Sequence, residues 1–323
     1  MQNEQQEKQN VQPVVSTSGQ IKSKWDRISD SYSKFVSRGF LAKGIGMANM
    51  VRIHEADTIL EVGCGDGSIS SEICLMKKEG AKLICADLST AMCKKAHSRL
   101  QGLSELAAEP FGLCQIQDKL AARVADAIKT APDYKEGDRR AVEALNAEVI
   151  QANNEDLSAI ESSSVDVYFS SLSLMIVENT EKMLKEAIRV LKPSGRAIFS
   201  VWGEKTHSYV FTEQPKILKK YGVVPPPSRS MFHLNDREKT IAMLEAEGFK
   251  NVITWNQFTP WLITSETQVK ELVDEFFANR FATTSPENGE QITKDFTEYL
   301  NLLLREKKRP IGFDVLIIMA EKA

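Results

Sequence analysis

The chain has 323 residues, of which 42% are hydrophobic and 26% charged, and its formal net charge is −3. This composition is that of a globular protein long enough to bury a sizeable core, so no disulfide or metal ion is needed for stability. The slightly negative charge argues against a nucleic-acid partner, because proteins that bind nucleic acids usually carry a basic surplus.

Five cysteines lie in apolar or helical stretches of the sequence: Cys64, Cys74, Cys85, Cys93 and Cys114. An odd number without C-x-x-C spacing predicts free thiols in a reducing compartment and no zinc site. The first ten residues are polar and do not resemble a leader, and no apolar run reaches the roughly 20 residues of a membrane span. We therefore expect a cytoplasmic protein with no metal site and no membrane span.

Helices and strands alternate along most of the chain. Residues 1–22 are polar and predict a disordered tail, followed by one folded domain over 23–323. We predict strands at 58–62, 81–87, 148–151, 165–169, 195–202, 251–259 and 313–319, and helices at 25–50, 68–78, 89–100, 181–191, 236–247, 266–280 and 288–306. Such alternation predicts an α/β fold with a doubly wound parallel sheet.

The alternation is interrupted at residues 101–147. Apolar residues recur there in steps of four, at Ile116, Leu120, Val124 and Ile128. This spacing predicts an amphipathic helix, and we expect a second helix at 138–147. We interpret this helical insertion as a structural addition; an oligomer interface or an acceptor-binding element is the alternative. Residues 204–235 and 264–309 are assigned to a cap over the substrate site, with a mobile region at 207–233 that includes a stiff triple proline, Pro225-Pro-Pro227.

A glycine-rich turn, Glu61-Val-Gly-Cys-Gly-Asp-Gly67, joins the first strand to the next helix. Glycines allow a ligand to approach the main chain, and the helix start offers free N–H groups. Asp87 ends the second strand, where doubly wound folds place an acid that accepts hydrogen bonds from ribose hydroxyls. Ser68 stands where a dinucleotide site requires a third glycine or alanine. The pattern therefore predicts an adenosine cofactor other than NAD.

Five segments in order resemble the motifs of class I S-adenosylmethionine-dependent methyltransferases: 59–67, 86–92, 151–157, 165–174 and 189–196. The ends of the chain, 25–32 and 313–321, are similar to the small-molecule branch of methyltransferase type 11 that includes quinone methyltransferases. The resemblance implies a Rossmann-like, seven-stranded sheet with an antiparallel last strand. It also implies S-adenosyl-L-methionine as the cofactor.

The resemblance assigns roles around the methionine end of that cofactor. The backbone from Gly63 through Cys64 to Gly65 would face the methionine part. Glu61 would orient its ammonium end, and Tyr32 would reach its carboxylate.

Further roles follow for the adenosine end. Asp87 would accept the ribose hydroxyls, while Leu88 and Met92 would pack against the adenine. The side chain of Asn153 would bind the adenine amino group, and the backbone of Asn154 a ring nitrogen.

The resemblance gives no catalytic residue. Ser170 would lie near the transferring methyl group, but the histidine that often follows in relatives is absent, since Met175-Ile176 stand there. His207 and Tyr209 are candidates for an acid–base role, with a structural or lid role as the alternative.

Three functions stay open. Methyl transfer to a small, apolar or lipid-like acceptor is favoured, because Ser170-Ser-Leu-Ser replaces the Asn/Asp-Pro-Pro-Tyr/Phe signature of DNA amino-methyltransferases. The second is a protein or RNA methyltransferase, or a non-catalytic subunit that binds a partner through the insertion. The third is a nicotinamide-dependent oxidoreductase. The late aromatic residues are interpreted either as acceptor lining or as core: Phe211, Phe232, Phe258, Trp261, Phe276, Phe277 and Phe281, with Met231 beside them.

Overall fold

A computed structural model describes residues 14–107, 116–224, 228–261 and 263–323. The first helix, α1 (Ser18–Phe35), begins with a capping box, in which Thr17 accepts from the Gln20 N–H and the Gln20 side chain accepts from the Thr17 N–H. The disordered tail expected over 1–22 is therefore wrong for its last five residues, which are helical. Residues 1–13 lie outside the described part.

Eight strands form one mixed sheet: β1 (Thr58–Val62), β2 (Lys82–Asp87), β3 (Arg139–Val142), β4 (Ala147–Gln151), β5 (Val165–Ser171), β6 (Leu191–Trp202), β7 (Phe249–Pro260) and β8 (Gly312–Lys322). Their order is β3-β4-β2-β1-β5-β6-β8-β7. The five strands from β4 to β6 are parallel, and β8 runs antiparallel to both β6 and β7. The doubly wound α/β fold and its antiparallel last strand are confirmed.

The sheet has eight strands where seven were expected. The additional strand is β3, which pairs antiparallel with β4 at the sheet edge, so the second helix expected at 138–147 is wrong. Gly137 has a φ of +76°, which ends any helical path before this segment. The Arg139 guanidinium then pairs with the Glu148 carboxylate on β4, with Nη2 2.6 Å from Oε1.

Helices cover both faces of the sheet. They are α1, α2 (Ser37–Met50), α3 (Ser68–Met76), α4 (Thr90–Ala107), α5 (Ile116–Thr130), α6 (Thr180–Val190), α7 (Tyr209–Lys220), α8 (Arg237–Ala246), α9 (Glu266–Leu272), α10 (Ala278–Thr284) and α11 (Gly289–Arg305). A π-helical turn, Val273–Phe277, links α9 to α10. The mobile region expected at 207–233 is wrong over α7, which buries Val210, Ile217 and Leu218; the triple proline lies outside the described residues.

The amphipathic helix of the insertion is confirmed as α5. Its Leu120 and Val124 pack against Leu103 and Leu106 of α4, and all four side chains are at most 7% exposed. Ile128 is partly buried at the same contact. The apolar face of the described part of the insertion is therefore covered by the chain itself, which agrees with a structural addition.

The late aromatic residues form core contacts. Trp261 lies between Phe211, Phe277 and Phe313, with ring centroids 5.6–6.4 Å apart. Phe281 packs in turn on Phe277, and all of these rings except Phe211 are nearly inaccessible. For these residues the core interpretation is correct.

Within the described ranges, none of the helices is long and apolar enough to cross a membrane. The His, Cys, Asp and Glu side chains of the same ranges form no group of three or more that could hold a metal ion.

Candidate functional site

The glycine-rich turn lies at the carboxyl ends of the parallel strands, where β1 is flanked by β2 and β5. Doubly wound sheets bind ligands at such a point. Gly63, Gly65 and Gly67 all have positive φ angles, between 58° and 76°. A Cβ on Gly67 would lie 2.8 Å from the Ala96 Cα atom, whereas a Cβ on Gly65 would meet only the Tyr32 ring, at 3.7 Å. Gly67 is therefore required for packing, and Gly65 leaves the main chain open toward Tyr32.

Asp87 connects the second strand to this turn. Its Oδ2 accepts the Gly65 N–H at 2.9 Å, and its Oδ1 accepts the Ser89 N–H at 2.8 Å. Burial raises the pKa of Asp87 to about 6, against the effect of these two hydrogen bonds. A carboxylate has about four acceptor positions, so two remain for ligand hydroxyls.

Glu61, the last acid of β1, is 1% exposed. The Ser70 hydroxyl donates to its Oε2 at 2.5 Å. Burial raises the pKa of Glu61 to about 8, and the charges of Asp87 and Asp66 add to this effect. The site is thus rich in buried acid and suited to a cationic group.

Tyr32 of α1 covers the turn. Its ring stacks on Phe40 with centroids 6.3 Å apart and meets Trp25 edge-on at 5.3 Å. Burial raises the pKa of Tyr32, and the nearby carboxylates of Asp66, Asp87 and Glu61 raise it further. Tyr32 therefore keeps its hydroxyl proton and can donate it to an anionic group.

The rest of α1 follows the same sheet edge. At its start the Ser18 hydroxyl accepts from the Asn153 amide at 3.4 Å. In its middle Asp26 accepts from the Ser89 hydroxyl at 2.6 Å. One helix thus spans the residues expected at both ends of the cofactor.

The asparagine pair after β4 differs from expectation in one respect. Asn153 Oδ1 accepts the Glu155 N–H within its own loop, so in this structure it is used locally. Asn154 is 7% exposed, and its buried Oδ1 lacks a hydrogen-bond partner among the described residues. Its amide lies 3.5 Å from the position of a Cβ on Gly63. The side chain of Asn154, and not only its backbone, therefore faces the glycine turn.

The remaining predicted contacts are positioned as follows. Leu88 is half-buried next to Asp87, while Met92 is 1% exposed and Cys64 is 6% exposed. Burial raises the pKa of the Cys64 thiol, so the thiol stays protonated. Ser170 is fully buried, with its hydroxyl 2.8 Å from that of Ser173.

A small, partly open cavity lies between α1, α2 and the glycine turn. Its volume is about 20 Å³, and its walls include Tyr32, Phe40, Glu61, Gly63, Cys64 and Ser171. Ser171 lines it, and Ser170, the serine that the sequence indicated, does not. A larger groove of about 630 Å³ lies between α9 and α11. That groove is open and charged and contains none of the predicted residues, so we place the site at the smaller cavity.

Lys43 of α2 is the residue that the sequence interpretation missed. It is 1% exposed, and its Nζ lies 2.7 Å from Ser171 Oγ and 2.9 Å from Ser200 Oγ. The two serines are paired on adjacent strands, β5 and β6. Its signal was available, because Lys43 is the only charged residue between Gly39 and Met50.

The two candidates for acid–base catalysis are not part of this site. His207 is exposed, and the Tyr209 hydroxyl donates to the Pro310 carbonyl. Neither side chain lines the cavity. Their acid–base roles are therefore not supported by the geometry.

The residues present fit S-adenosylmethionine. The unpartnered Asn154 oxygen, the open main chain at Gly65 and the free acceptor positions of Asp87 suit an adenosine with a polar tail. The buried Glu61 carboxyl suits an ammonium group, because a cation held in its place stabilises the ionised acid.

Comparisons with known proteins agree. A family model for a methyltransferase domain matches residues 111–199, which begin after the glycine turn. The crystal structure of the [4+2]-cyclase SpnF is 13% identical, with a TM-score of 0.52, and the match covers 96% of this chain and 97% of that one.

A second similar structure is Haemonchus contortus phosphoethanolamine N-methyltransferase 2, in complex with phosphomonomethylethanolamine and S-adenosylhomocysteine. It is 14% identical, with a TM-score of 0.50, and the match covers 96% of this chain but 61% of that enzyme. No curated protein sequence matches. The two structures show the fold. The family model adds a match to a methyltransferase domain over residues 111–199.

Proposed function

We propose that this domain methylates a small molecule held between α1, α2 and the carboxyl ends of β1, β5 and β6. The observation that carries the proposal is the small cavity beneath α1 and α2, which Tyr32, Phe40, Gly63 and Ser171 line together. An acceptor beneath a helical cover must enter whole, which favours a small molecule over a protein or RNA chain. The covered apolar face of α5 likewise gives no support to a partner-binding subunit.

At the methionine end, we assign the backbone of Gly63, Cys64 and Gly65 to the main contact with the cofactor. Glu61 would hold the ammonium group as a carboxylate. Tyr32 would donate its hydroxyl proton to the carboxylate end, since it already lies over Gly65.

At the adenosine end, Asp87 would accept the ribose hydroxyls through its two unused acceptor positions. The side chain of Asn153 and the backbone of Asn154 would bind the adenine, while the unpartnered Asn154 Oδ1 belongs to a side chain that lies beside Gly63, toward the methionine part. Leu88 and Met92 would supply the apolar wall. The small-molecule branch that includes quinone methyltransferases remains a prediction for this chain.

The bound cofactor supplies a sulfonium methyl group that is already activated toward a nucleophile. The protein's contribution is to align the acceptor with that methyl group and to exclude water. α1 serves both needs because it covers the sheet edge from Asn153 to Gly65.

Entry of the cofactor requires movement of α1. Pockets for ligands of this size usually measure about 300–1,000 Å³, and the cavity measures about 20 Å³. α1 ends at Phe35 and α2 begins at Ser37. We place the hinge at this junction.

The proposal is tested by thermal unfolding with S-adenosylmethionine, S-adenosylhomocysteine or NAD. A ligand at 100 times its Kd adds about 2.7 kcal/mol to stability, so both sulfur ligands should raise the Tm and NAD should not. Asp87→Ala should abolish the shift, and Asp133→Ala, which removes an exposed acid paired with Lys94 of α4, should retain it. The acceptor is then sought by supplying S-adenosylmethionine with a small-molecule extract and, separately, with its macromolecular fraction. Methyl transfer confined to the macromolecular fraction contradicts the proposal.

We also propose a cytoplasmic location. Cys64, Cys74, Cys85 and Cys93 are free thiols in the structure, and Cys114 lies outside the described residues. Unpaired thiols of this number are usual in a reducing compartment.

A further inference from the structure

Lys43 is a buried cation without a buried anion. Its Nζ donates to two hydroxyls, those of Ser171 and Ser200, and lies 5.2 Å from the centroid of the Phe40 ring. It forms no ion pair within the described chain. An isolated buried ammonium group is costly to keep, so a lysine in this place calls for an explanation beyond packing.

The titratable residues around Lys43 do not supply the missing charge. They are, on the elements packed against α2, Lys22, Lys24, Asp26, Arg27, Asp30, Tyr32 and Lys34 of α1, Glu72 and Cys74 of α3, His54 and Glu55 before β1, and Lys250 of β7; on β1 and β8, Glu61 and Asp314; and on the two serine-bearing strands, Asp166, Tyr168, Lys192 and Arg196. The acids that line the cavity are otherwise engaged, Glu61 by Ser70 and Asp66 by Ser68 and Arg99. On β8, next to β6, Asp314 accepts the Glu204 N–H.

We infer that Lys43 is the general base of the reaction and that Ser171 relays the acceptor's proton to it. The inference deepens the proposed function and rests on it. Ser171 is assigned as the relay because this residue lines the cavity and its Oγ lies 2.7 Å from Lys43 Nζ. Ser200, its partner across the sheet, is buried and does not line the cavity.

The proton and electron balance is simple. The acceptor's lone pair forms the new bond to the methyl carbon, and the pair of the broken carbon–sulfur bond remains on sulfur. The acceptor's proton passes to Ser171 Oγ as the serine proton passes to Lys43 Nζ. Ser171 ends unchanged, and Lys43 ends as an ammonium ion that later returns its proton to solvent.

The protonation state of Lys43 suits this role. Burial lowers its pKa to about 7, so a large fraction is neutral at physiological pH. A sulfonium cation beyond Ser171 would lower the pKa further, because like charges disfavour the charged form. Binding of the cofactor would therefore increase the fraction of Lys43 that is neutral and able to accept a proton.

The relay also defines a class of acceptor. It serves an atom that must lose a proton on methylation, such as the oxygen of a phenol or enol or the sulfur of a thiol. A tertiary amine has no such proton and gains nothing from a base. We therefore expect an acceptor whose reacting oxygen, sulfur, or primary or secondary nitrogen carries a proton.

The test needs no acceptor. Calorimetry at pH 7, in buffers of different ionisation enthalpy, gives the protons released when S-adenosylmethionine or S-adenosylhomocysteine binds. The two ligands differ by the sulfonium charge. This charge also favours ionisation of Glu61 and Asp87, and their share of the difference persists in variants that lack Lys43. For a pKa lowered by about one unit, Lys43 should release about 0.4 proton more with S-adenosylmethionine.

Four variants make the test specific. Lys43→Met removes the amine, and Lys43→Arg keeps a charge that cannot be lost; both should reduce the difference by the Lys43 share of about 0.4 proton while S-adenosylhomocysteine still binds. Ser171→Ala removes an acceptor of the ammonium group, so the difference should peak at a lower pH. Lys95→Met is the matched control, since Lys95 is also buried but pairs with Asp30, and it should behave as wild type.

The outcomes are separable. If both ligands bind and the difference is absent, or is as large in both Lys43 variants as in the wild type, Lys43 is not the base and the inference is overturned. If neither ligand binds the wild type, the proposed function fails first and the relay with it. A difference that depends on Lys43 and shifts with Ser171 supports the relay. If one Lys43 variant does not fold, the other decides.

Discussion

Asp26 on α1 accepts a hydrogen bond from the Ser89 hydroxyl at 2.6 Å, while the Ser89 N–H is held by Asp87 at 2.8 Å. The helix that covers the site is therefore joined, through one serine, to the acid that we assign to the ribose. Burial of Asp26 opposes its ionisation, but hydrogen bonds from Lys22 and Ser89 hold its pKa below the usual value. The ionised Asp26 carboxylate therefore holds α1 against the start of α4.

Replacing Asp26 with alanine should loosen this cover. Hydrogen bonds to a charged acceptor contribute roughly 1.5–3 kcal/mol, so the closed position of α1 should lose about this much. We expect faster hydrogen exchange of the α1 amides, measured by mass spectrometry. We also expect faster release of S-adenosylhomocysteine, measured by stopped-flow fluorescence. Asp30→Ala is the control, because the Asp30 side chain is 93% exposed in its pair with Lys95 and such pairs contribute about 0–1 kcal/mol. Equal effects of the two variants would contradict a specific latch at Asp26.

Two glycines of the turn should respond differently to alanine. Both have positive φ, which costs an alanine roughly 1–2 kcal/mol. Gly67→Ala adds a clash with the Ala96 backbone, so its main effect should be a lower free energy of unfolding. The Cβ of Gly65→Ala would lie in the space between the turn and the Tyr32 ring, so its main effect should be weaker S-adenosylhomocysteine binding, by tenfold or more. Denaturant unfolding and calorimetry of both variants separate the two effects; a Gly65→Ala protein with normal affinity would place the cofactor elsewhere.

Glu61 should make the protein less stable as the pH rises. Its folded-state pKa of about 8 lies above the unfolded value of 4.5, so between these values the folded state holds a proton that the unfolded state has lost. The free energy of unfolding therefore falls from about pH 5 to pH 8. Glu61→Gln should remove this slope and gain up to a few kcal/mol at pH 8, with little change at pH 5, measured by urea unfolding.

Glu148→Gln should change the pH dependence of the free energy of unfolding in the opposite direction, measured by the same urea unfolding. Burial opposes the ionisation of Glu148, but hydrogen bonds from Arg139 and Lys82 hold its pKa below the usual value. Its stabilisation is present at neutral pH and is lost as the pH falls through the lowered pKa. Its glutamine variant should lose stability at pH 7 and approach wild type in acid. A glutamine variant at 61 that loses stability at pH 8 would show that Glu61 is ionised and paired.

The sequence was sufficient for the sheet and for the glycine turn, because both are set by local patterns. An apolar run forms the strand itself, and the glycines that follow it form the turn. Asp87, which accepts the Gly65 N–H, ends the next strand along the chain. β3 was not predicted because its four residues are stabilised by contacts with β4. These contacts are the backbone hydrogen bonds between the two strands and the Arg139–Glu148 ion pair. Four-residue segments have too little periodicity to indicate a strand.

The cavity side of the site could be predicted only in part. Successive strand residues face opposite sides, so a one-residue uncertainty at the end of β5 exchanges Ser170 for Ser171. Lys43 was harder still, because it belongs to a helix distant in sequence from the strands it contacts. A lone lysine in an apolar helix indicates an unusual environment, but its partners, Ser171 and Ser200, follow only from the packing of α2 on the sheet.

Lys43 should also be visible in the stability of the protein without any ligand. Its folded-state pKa, about 7, lies below the unfolded value of 10.5, so between these values the unfolded state binds the additional proton. The destabilisation is complete below pH 7 and is relieved as the pH rises toward 10.5. Lys43→Met should therefore be more stable than wild type at pH 6, on the order of a few kcal/mol at most, and the gain should shrink at pH 10. Urea unfolding at the two pH values measures this, with Lys95→Met as the reference. A Lys43→Met protein that is less stable at pH 6 would mean that the ammonium group is well solvated or paired, and Lys43 would then lack the neutral form that a base requires.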